Sequence, residues 1–258
     1  MATIPSVLCV HAHPDDEALF TGGILARSAS AGARTSVVTC TWKDGDARVD
    51  ELRSSLSILG AGEPRLLGYT DNAFAEGVPF CSAPFDEAVG KVVEHIREFK
   101  PDIVVTYDAY GSYGHPDHIH AHRVTLAAFD AAGYPQLFPG TGVPWQPSHL
   151  CLATFPRTAI EANWASLFGG HAPPPGPGVP GLPDDSVDLA VDVSRWYDAK
   201  WAAFSAHESE IARGGGATQF AAMTESSRRA LFSTEWFVHR DASGQRLSGI
   251  DPFVPSET

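Results

Sequence analysis

The sequence has little positive charge. Its 258 residues include 18 Lys and Arg against 31 Asp and Glu, which gives a formal net charge of −13 at pH 7. Proteins that bind nucleic acid or anionic membranes through charge carry a basic surface patch. The composition therefore predicts neither partner, and it disfavours a highly anionic substrate.

The sequence also lacks a long apolar run near its start. The first apolar run covers only residues 7–10, and residues 1–6 contain no Lys or Arg. A signal peptide needs a basic segment and an apolar core of about 7–15 residues, and a membrane-spanning helix needs about 20 apolar residues. We therefore expect a cytoplasmic protein.

Cysteine is scarce, and no two cysteines form a CxxC pair. The four are Cys9, Cys40, Cys81 and Cys151. Three of them fall in predicted strands, where a free thiol usually acts as a small buried hydrophobe. Neither a disulfide framework nor a thiolate zinc site is expected.

The chain alternates apolar or β-branched runs with helical stretches, which is typical of parallel strands joined by crossover helices. The predicted strands are residues 7–10, 36–41, 65–67, 103–107, 150–154 and 187–193. The predicted helices between them are residues 17–31, 46–59, 85–99 and 117–132. Because 43% of the residues are hydrophobic, the chain can bury one sizeable core. We predict a single domain over residues 1–258 with an α/β fold, a Rossmann-like three-layer sandwich with a mainly parallel sheet.

The later part of the chain is less regular. Residues 194–213 and 217–232 are predicted to form two more helices. Residues 169–183 are rich in Gly and Pro, and Pro lacks the N–H donor that helices and sheets need. This segment is predicted to be a long surface loop that could act as a lid.

Two acidic histidine clusters each follow an apolar run. The first is Ala-His-Pro-Asp-Asp-Glu at residues 12–17, and the second is Gly-His-Pro-Asp-His at residues 114–118. Both fall where a predicted strand gives way to a predicted helix. In open parallel sheets the carboxyl ends of strands form the crevice where ligands bind. We therefore expect the clusters to lie side by side.

The spacing within the first cluster fits a metal site. A hydrolytic zinc site needs about three nitrogen or oxygen ligands and an open position for water. His13 and Asp16 are three positions apart and can converge on one ion. Asp15 between them is then free for proton transfer.

The second cluster leaves two assignments open. Either His115 or His118 can bind the metal while the other faces the substrate, and Asp117 can orient an imidazole from behind. Each cluster alone would also fit a turn whose acidic residues stabilise a helix N-terminus. Two clusters with the same His-Pro-Asp core at two such junctions favour a shared site, because buried His and Asp groups need partners.

Three other histidines lie near the clusters. His11 is predicted to be a strand residue, and His120 and His122 are predicted to lie on a helix surface. His118 and His122 have the i, i+4 spacing of a helical metal pair, but position 119 is Ile, so the zincin pattern fails.

The turn after the first strand lacks the glycines of a dinucleotide-binding loop. It reads His-Pro-Asp-Asp, and Gly22 and Gly23 come only inside the predicted helix. Carboxylates in that turn would repel a pyrophosphate. A non-catalytic Rossmann-like binding module is therefore the less favoured reading.

The two clusters resemble the motifs of the LmbE-like, or PIG-L, family of metal-dependent N-deacetylases. The similarity continues at residues 37–41, at Arg48 with Glu51-Leu52, and at residues 68–71. It therefore covers about the first half of the chain.

The second half resembles the family less closely. Residues 200–203, with His207 and Ser209, are similar to the family's late helix. Glu210 stands where a Gln is usual, which leaves the role of this helix open.

The resemblance implies a metal site and an acid–base pair. The implied metal ligands are His13, Asp16 and His118. The ion is expected to be Zn²⁺, although an imidazole and carboxylate set also accepts another divalent transition metal. Asp15 would be the general base, and His115 the acid or electrophile opposite it.

Four further residues acquire roles by the same resemblance. Asp117 would orient and charge-balance His115. Tyr113 would lie over the site and help to polarise the carbonyl. Arg48 and Asp71 match positions that hold sugar hydroxyls in relatives acting on glucosamine derivatives, and both also fit as surface ion pairs.

The implied activity is removal of an N-acetyl group from a small N-acylated amino sugar, such as an N-acetylglucosaminyl conjugate or a secondary-metabolite intermediate. The first alternative is an amidase that cleaves a larger acyl group, such as a mycothiol S-conjugate. A relative that binds a glycosyl ligand without turnover is disfavoured, since all motif positions are present.

Overall fold

The computed structural model describes residues 4–74, 77–167 and 180–255. Seven strands of these residues form one sheet: β1 (Val7–His11), β2 (Thr35–Thr41), β3 (Arg65–Tyr69), β4 (Ile103–Tyr107), β5 (His149–Thr154), β6 (Leu189–Asp192) and β7 (Thr234–Asp241). Their order across the sheet is β3-β2-β1-β4-β5-β7-β6. Strands β1 to β5 are parallel, and β7 pairs antiparallel with both β5 and β6. The predicted mainly parallel sheet is confirmed.

The helices of the described residues are α1 (Asp16–Ser30), α2 (Ala47–Leu59), α3 (Phe85–Phe99), α4 (Gly111–Gly114), α5 (Pro116–Ala132), α6 (Arg157–Ala162), α7 (Trp164–Leu167), α8 (Tyr197–Ser205), α9 (Glu208–Arg213), α10 (Gly216–Ala222) and α11 (Glu225–Phe232). Helices α1, α2 and α8 pack together, and α3 packs on α5. Right-handed crossovers place these two groups on opposite faces of the sheet. The three layers agree with the predicted sandwich.

The sequence explains why the central strands are buried on both faces. Every residue of β1, β2 and β4 is buried, and such strands appear as continuous apolar or β-branched runs. Helix α3 instead buries one stripe, which contains Ala88, Val89, Val92, Val93 and Ile96. Gly60 ends α2 in the left-handed conformation, with φ of 71°.

The predicted elements of the first half and the predicted strands 150–154 and 187–193 agree with the structure to within two residues at each end. The two predicted helices of the second half do not. The predicted helix 194–213 is divided: a 3-10 turn covers Ser194–Trp196, and α8 and α9 are separate helices. The predicted helix 217–232 is broken before Thr224, whose hydroxyl accepts from Ser227 N at the start of α11. Strand β7 was not predicted, because its polar ends obscure a short apolar centre at residues 236–238.

The prediction that His120 and His122 lie on a helix surface is wrong, because both are buried. His122 Nδ1 is 2.8 Å from the Tyr107 carbonyl oxygen, and the His120 ring packs on the Phe80 ring. The sheet covers one side of α5, while α3 and the 3-10 turn Phe80–Ser82 cover another. His11 lies in β1 as predicted, with Nε2 2.8 Å from Thr21 Oγ1.

The predicted loop at 169–183 lies outside the described residues except for residues 180–183. There, Leu182 exchanges backbone hydrogen bonds with Phe155 and Arg157. The four cysteines are free thiols, and those in β1, β2 and β5 are buried. Among the described residues, no helix combines the length and the apolarity needed to cross a bilayer.

Candidate metal and active site

The two clusters lie at the point in the sheet where the order of the strands reverses, between β1 and β4. The chain leaves β1 toward β2 and leaves β4 toward β5, and β1 and β4 are neighbours. A crevice opens beyond the carboxyl ends of two strands that diverge in this way. Residues 12–16 follow β1, and residues 108–118 follow β4, so the predicted juxtaposition is confirmed.

Three side-chain atoms from the clusters form a compact triangle. His13 Nδ1 is 3.4 Å from Asp16 Oδ2, His118 Nε2 is 3.4 Å from the same oxygen, and the two nitrogens are 3.3 Å apart. A tetrahedral ion with bonds of about 2.0–2.1 Å separates its ligand atoms by about 3.3–3.4 Å. These three residues therefore fit a divalent ion, and His115 lies close enough to His13 and His118 to add a fourth donor.

Surrounding groups fix the ligand atoms of this triangle. Asp16 Oδ2 accepts from the Tyr107 hydroxyl at 2.6 Å and from His13 N at 2.8 Å. The Tyr107 ring stacks on the His118 ring, with centroids 4.2 Å apart. Gly111 has φ of 63°, and a Cβ there would lie 2.7 Å from His118 Cβ. Only glycine allows the backbone to pass so close behind His118.

Asp117 supports a different imidazole from the one expected. Its Oδ2 is 3.1 Å from His13 Nε2, and its carboxylate also accepts from Asn72 N and Cys81 N. The Asp117 carboxylate therefore lies on the His13 side, because those donors hold it there, and Asp117 contacts His115 through its backbone N–H instead. Such carboxylate–imidazole pairs orient metal-binding histidines and increase their basicity.

The electrostatics of the triangle favour a cation. Burial alone would lower the pKa of His13, but its hydrogen bonds to Asp117 and Asp16 raise that pKa to about 10. Burial would raise the pKa of Asp16, and His118 and His13 instead hold it well below its usual range. Asp71 adds a third carboxylate, 3.8 Å from His13 Nε2. A proton on His13 neutralises part of the negative charge of these three carboxylates, and a divalent metal ion would neutralise more of it.

Asp15 faces the cavity beside the triangle. Its φ of 114° is unusual for a residue with a side chain and costs about 1–3 kcal/mol. Among the protein groups alone, burial and the Asp16 carboxylate raise the pKa of Asp15 to about 8, and the Arg48 guanidinium opposes that rise. A cation in the triangle would also oppose that rise, because a nearby positive charge favours the ionised carboxylate.

His115 lies on the other side of the triangle. Its ring centroid is 4.7 Å from that of His13 and 4.9 Å from that of His118. Its Nδ1 accepts a hydrogen bond from Asp117 N at 3.2 Å, so a neutral ring carries its proton on Nε2. Burial and the two other imidazoles lower the pKa of His115 to about 4. It is therefore a neutral donor near pH 7.

Tyr113 lines the cavity beside His118. It lies on α4, where Ser112 has φ of 64°, and its ring centroid is 5.1 Å from that of His118. The side chain is more than half exposed. Partial desolvation and the Asp16 carboxylate raise the pKa of Tyr113 above its usual value, so the phenol keeps its proton.

Arg48 and Asp71 are buried in the cavity wall, so the alternative of surface ion pairs is wrong. Arg48 donates to the Pro14 carbonyl, and its guanidinium is 3.3 Å from Glu210 and 4.0 Å from Asp15. Asp71 Oδ1 accepts from the backbone at position 73. Both side chains reach the cavity.

The cavity has a volume of about 320 Å³, and its wall has a polar and an apolar part. The polar part consists of His13, Asp15, Asp16, Arg48, Asp71, Tyr113, His115, Glu210 and Arg213. The apolar part is formed mainly by Leu19, Phe20, Phe155, Phe220 and Phe232. Of this apolar part, α10 supplies Phe220 and α11 supplies Phe232.

A buried network behind Asp15 was not predicted from the sequence. Glu17 and His207 are fully buried, with Glu17 Oε1 2.7 Å from His207 Nε2. Glu17 Oε2 accepts from Asp15 N at 2.9 Å. Glu17 was part of the first cluster without a role, and His207 was noticed only through the late helix. A third acidic residue, directly after the Asp pair, was the available signal.

The fold and the site together define a Rossmann-like protein with a candidate metal centre at the switch point of its sheet. Residues 8–129 match the family model PIG-L, described as GlcNAc-PI de-N-acetylase. The chain is 38% identical over 274 aligned positions to the 1D-myo-inositol 2-acetamido-2-deoxy-alpha-D-glucopyranoside deacetylase of Rhodococcus opacus (strain B4), with 93% of each chain covered. The chain belongs to the PIG-L family.

Solved structures agree on the fold. The N,N'-diacetylchitobiose deacetylase from Pyrococcus horikoshii superposes with a TM-score of 0.64 at 17% identity, over 97% of this chain and 89% of that one. The 4-carboxy-2-hydroxymuconate hydratase GalB from Pseudomonas putida KT2440 gives 0.58 at 18% identity, over 91% and 95%. One fold therefore carries deacetylases and a hydratase, and the reaction must be argued from the site.

Proposed function

We propose that this protein is a metal-dependent N-deacetylase that removes the acetyl group from an N-acetylglucosaminyl conjugate of inositol. The observation that carries the proposal is the His13–Asp16–His118 triangle beside the cavity-facing carboxylate of Asp15. The relative from Rhodococcus opacus supports the substrate class through its name. That name also favours acetyl removal over the amidase alternative.

The triangle would hold a divalent cation, and Zn²⁺ is the simplest choice for two imidazoles and one carboxylate. Such an ion supplies Lewis-acid chemistry: it withdraws electron density from a carbonyl group and lowers the pKa of a bound water molecule toward about 7. Iron, cobalt or manganese would fit the same donor set.

The chain's own groups divide the proton transfers between them. Asp15 takes the proton of the attacking water on a carboxylate oxygen and later gives it to the departing nitrogen. His115 donates from Nε2, and Tyr113 from its hydroxyl, to the negative charge that develops on the carbonyl oxygen. Water and the amide thus become acetate and the protonated amine.

Binding of the sugar conjugate is assigned to the polar part of the cavity wall. Asp71 accepts hydrogen bonds from hydroxyl groups, and the free part of the Arg48 guanidinium donates to them. The carboxylates around Arg48 leave little net positive charge in this wall. A neutral polyol therefore suits the wall better than a phosphorylated one.

The test is replacement of Asp15 and of His13, with the exposed Asp86→Ala as control. Asp15→Ala is expected to retain metal and to lose about 10²- to 10⁴-fold in kcat, whereas His13→Ala loses the metal. Metal analysis by mass spectrometry and amine release from N-acetylglucosaminyl-inositol and from N-acetylglucosamine measure both. Near-full activity of Asp15→Ala would show that Asp15 is not the base.

A further inference from the structure

The peptide group between Pro14 and Asp15 is held from both sides by buried charged side chains. The Arg48 guanidinium donates to the Pro14 carbonyl oxygen, and Glu17 Oε2 accepts from Asp15 N at 2.9 Å. A cation therefore contacts the oxygen end of one peptide and an anion contacts its nitrogen end. Rotation of this peptide by half a turn would bring the carbonyl to the carboxylate and the N–H to the guanidinium. Both contacts would then be repulsive.

This peptide sets the direction of the Asp15 side chain. Asp15 has φ of 114° and ψ of −27°, and its carbonyl accepts from Ala18 N and Leu19 N at the start of α1. The helix therefore fixes one side of Asp15, while Arg48 and Glu17 fix the other. A relaxed φ would turn the carboxylate away from its present position in the cavity wall.

The start of α9 supports both gripping side chains. His207 Nε2 is 2.7 Å from Glu17 Oε1, and Glu210 Oε2 is 3.3 Å from Arg48 Nη1. Ser55 also donates to Glu17 Oε1. His207 and Glu210 lie outside residues 8–129, the part of the chain that matches the family model.

We propose that Glu17, with His207 behind it, and Glu210, through Arg48, are positioning residues that hold Asp15 in its reactive conformation. The proposal rests on the proposed function in that Asp15 is taken as the base. It assigns a role to the late helix: α9 keeps the two charges in place that orient the Pro14–Asp15 peptide. It also gives Arg48 a task besides contact with the substrate.

Glu235 provides a matched control for Glu17. It is a buried carboxylate that accepts from two backbone N–H groups of the same helix, Gly23 N at 2.7 Å and Ile24 N at 2.9 Å, and pairs with Lys200. Those contacts lie about two turns from Asp15. A purely structural role for Glu17 would make its variants behave like those of Glu235.

The first experiment measures the NMR chemical shift of the Asp15 amide, so it does not depend on enzymatic activity. In protein labelled with ¹⁵N-aspartate, the Asp15 amide is identified as the signal that disappears in Asp15→Asn. Its proton is expected downfield in the unmodified protein, because it is bonded to a carboxylate, and upfield in Glu17→Met. Glu235→Gln is expected to leave it unmoved. An Asp15 amide that does not move in Glu17→Met overturns the proposal.

The second experiment measures kcat, KM and bound metal on the metal-loaded enzyme. Glu17→Met is expected to lower kcat about 10²-fold, since misplacement of a reacting group by about 1 Å costs that much. KM and metal content should stay within about threefold, and Glu17→Gln, which keeps an acceptor for Asp15 N, should recover most of kcat. His207→Leu should lower kcat, with recovery in His207→Gln, and Glu210→Ala should lower it less.

Two results would contradict the kinetic part of the proposal. One is a folded, metal-loaded Glu17→Met whose kcat stays within threefold of the unmodified enzyme. The other is a loss in Glu235→Gln as large as that in Glu17→Met. If Glu17→Met does not fold, Glu17→Asp takes its place, because it keeps a charge for His207 but is too short for Asp15 N. An active Asp15→Ala would refute the base assignment alone, and the amide signal would still test the peptide grip.

Discussion

The parallel and antiparallel parts of the sheet contribute to the site in different ways. All nine site residues predicted from the sequence follow β1, β3 or β4 or lie on α2. The segment that carries β6, β7 and α8 to α11 supplies His207, Glu210 and part of the apolar cavity wall. The candidate reactive groups therefore lie at the ends of parallel strands, and part of their support comes from later in the chain. Sequence motifs therefore predict the reactive residues, but they do not predict the supporting residues that come from later in the chain.

The strongest test of the parallel part is removal of a direct metal ligand. His118→Ala is expected to lose the ion and more than about 10³-fold in kcat/KM, since loss of an outer partner already costs about 10- to 100-fold in metal affinity. Metal analysis and the amine-release assay measure this. His95→Ala, on α3, is the control. Retention of one metal ion per chain in His118→Ala would remove His118 from the ligand set.

In the later part of the chain, the largest expected effect is on stability rather than on chemistry. Lys200→Met leaves Glu235 buried without its cation and is expected to lower the free energy of unfolding by about 3 kcal/mol. Metal affinity should be unchanged. Urea unfolding measures the loss, and Lys200→Met combined with Glu235→Gln should recover part of it. If Lys200→Met loses activity but not stability, the later part of the chain contributes to the chemistry as the parallel part does, and the proposed difference between the two parts is wrong.

Asp117→Asn tests support within the parallel part itself. The carboxylate has three donors, His13 Nε2, Asn72 N and Cys81 N, and an amide offers only one oxygen to them. Metal affinity is expected to fall by about 10- to 100-fold. Competition with a chelator measures the affinity. If kcat falls while metal affinity stays constant, Asp117 acts through His115 rather than through the metal ligand His13.

The smallest predicted effect concerns two histidines at the junction of β5 and β7. His149 Nδ1 is 3.0 Å from His239 Nε2, and burial lowers the pKa of both below the usual value of 6.5. Well above pH 6.5 both imidazoles are neutral in the folded and in the unfolded protein, so the pair does not lower the free energy of unfolding. As the pH falls below 6.5, the unfolded chain binds protons that the folded chain does not, and stability decreases.

Replacement of one partner isolates this contribution from other buried histidines. In His149→Gln the decrease in Tm between pH 7.5 and 5.5 should be smaller than in the unmodified protein by roughly 2 °C. Calorimetry at the two pH values measures it. An equal decrease in both proteins would mean that the pair does not contribute to acid sensitivity.

Most of the parallel part could be predicted because its signals are local. Strands such as Ile103–Tyr107 are short apolar runs between turn residues, and the His-Pro-Asp repeats mark two strand ends. Which histidine binds in the triangle was not determined by spacing. That choice depends on the turn at Gly111, which brings His118 toward Asp16, and sequence periodicity carries no such information.

The later part could not be predicted because its structure depends on distant contacts. Strand β7 is defined by pairing with β5 and β6 rather than by a long apolar run. The role of Glu17 becomes visible only when His207, far along the chain, is placed against it. The same holds for Asp117, whose carboxylate is directed by backbone N–H groups of residues 72 and 81.

The position of β7 has a consequence for biosynthesis. Because β7 lies between β5 and β6, the edge of β5 stays open and β6 has no neighbour until residues 234–241 leave the ribosome. An open edge of this kind invites pairing with other chains. The residues of the candidate metal centre are thus synthesised well before β7, the strand that connects β6 to the rest of the sheet.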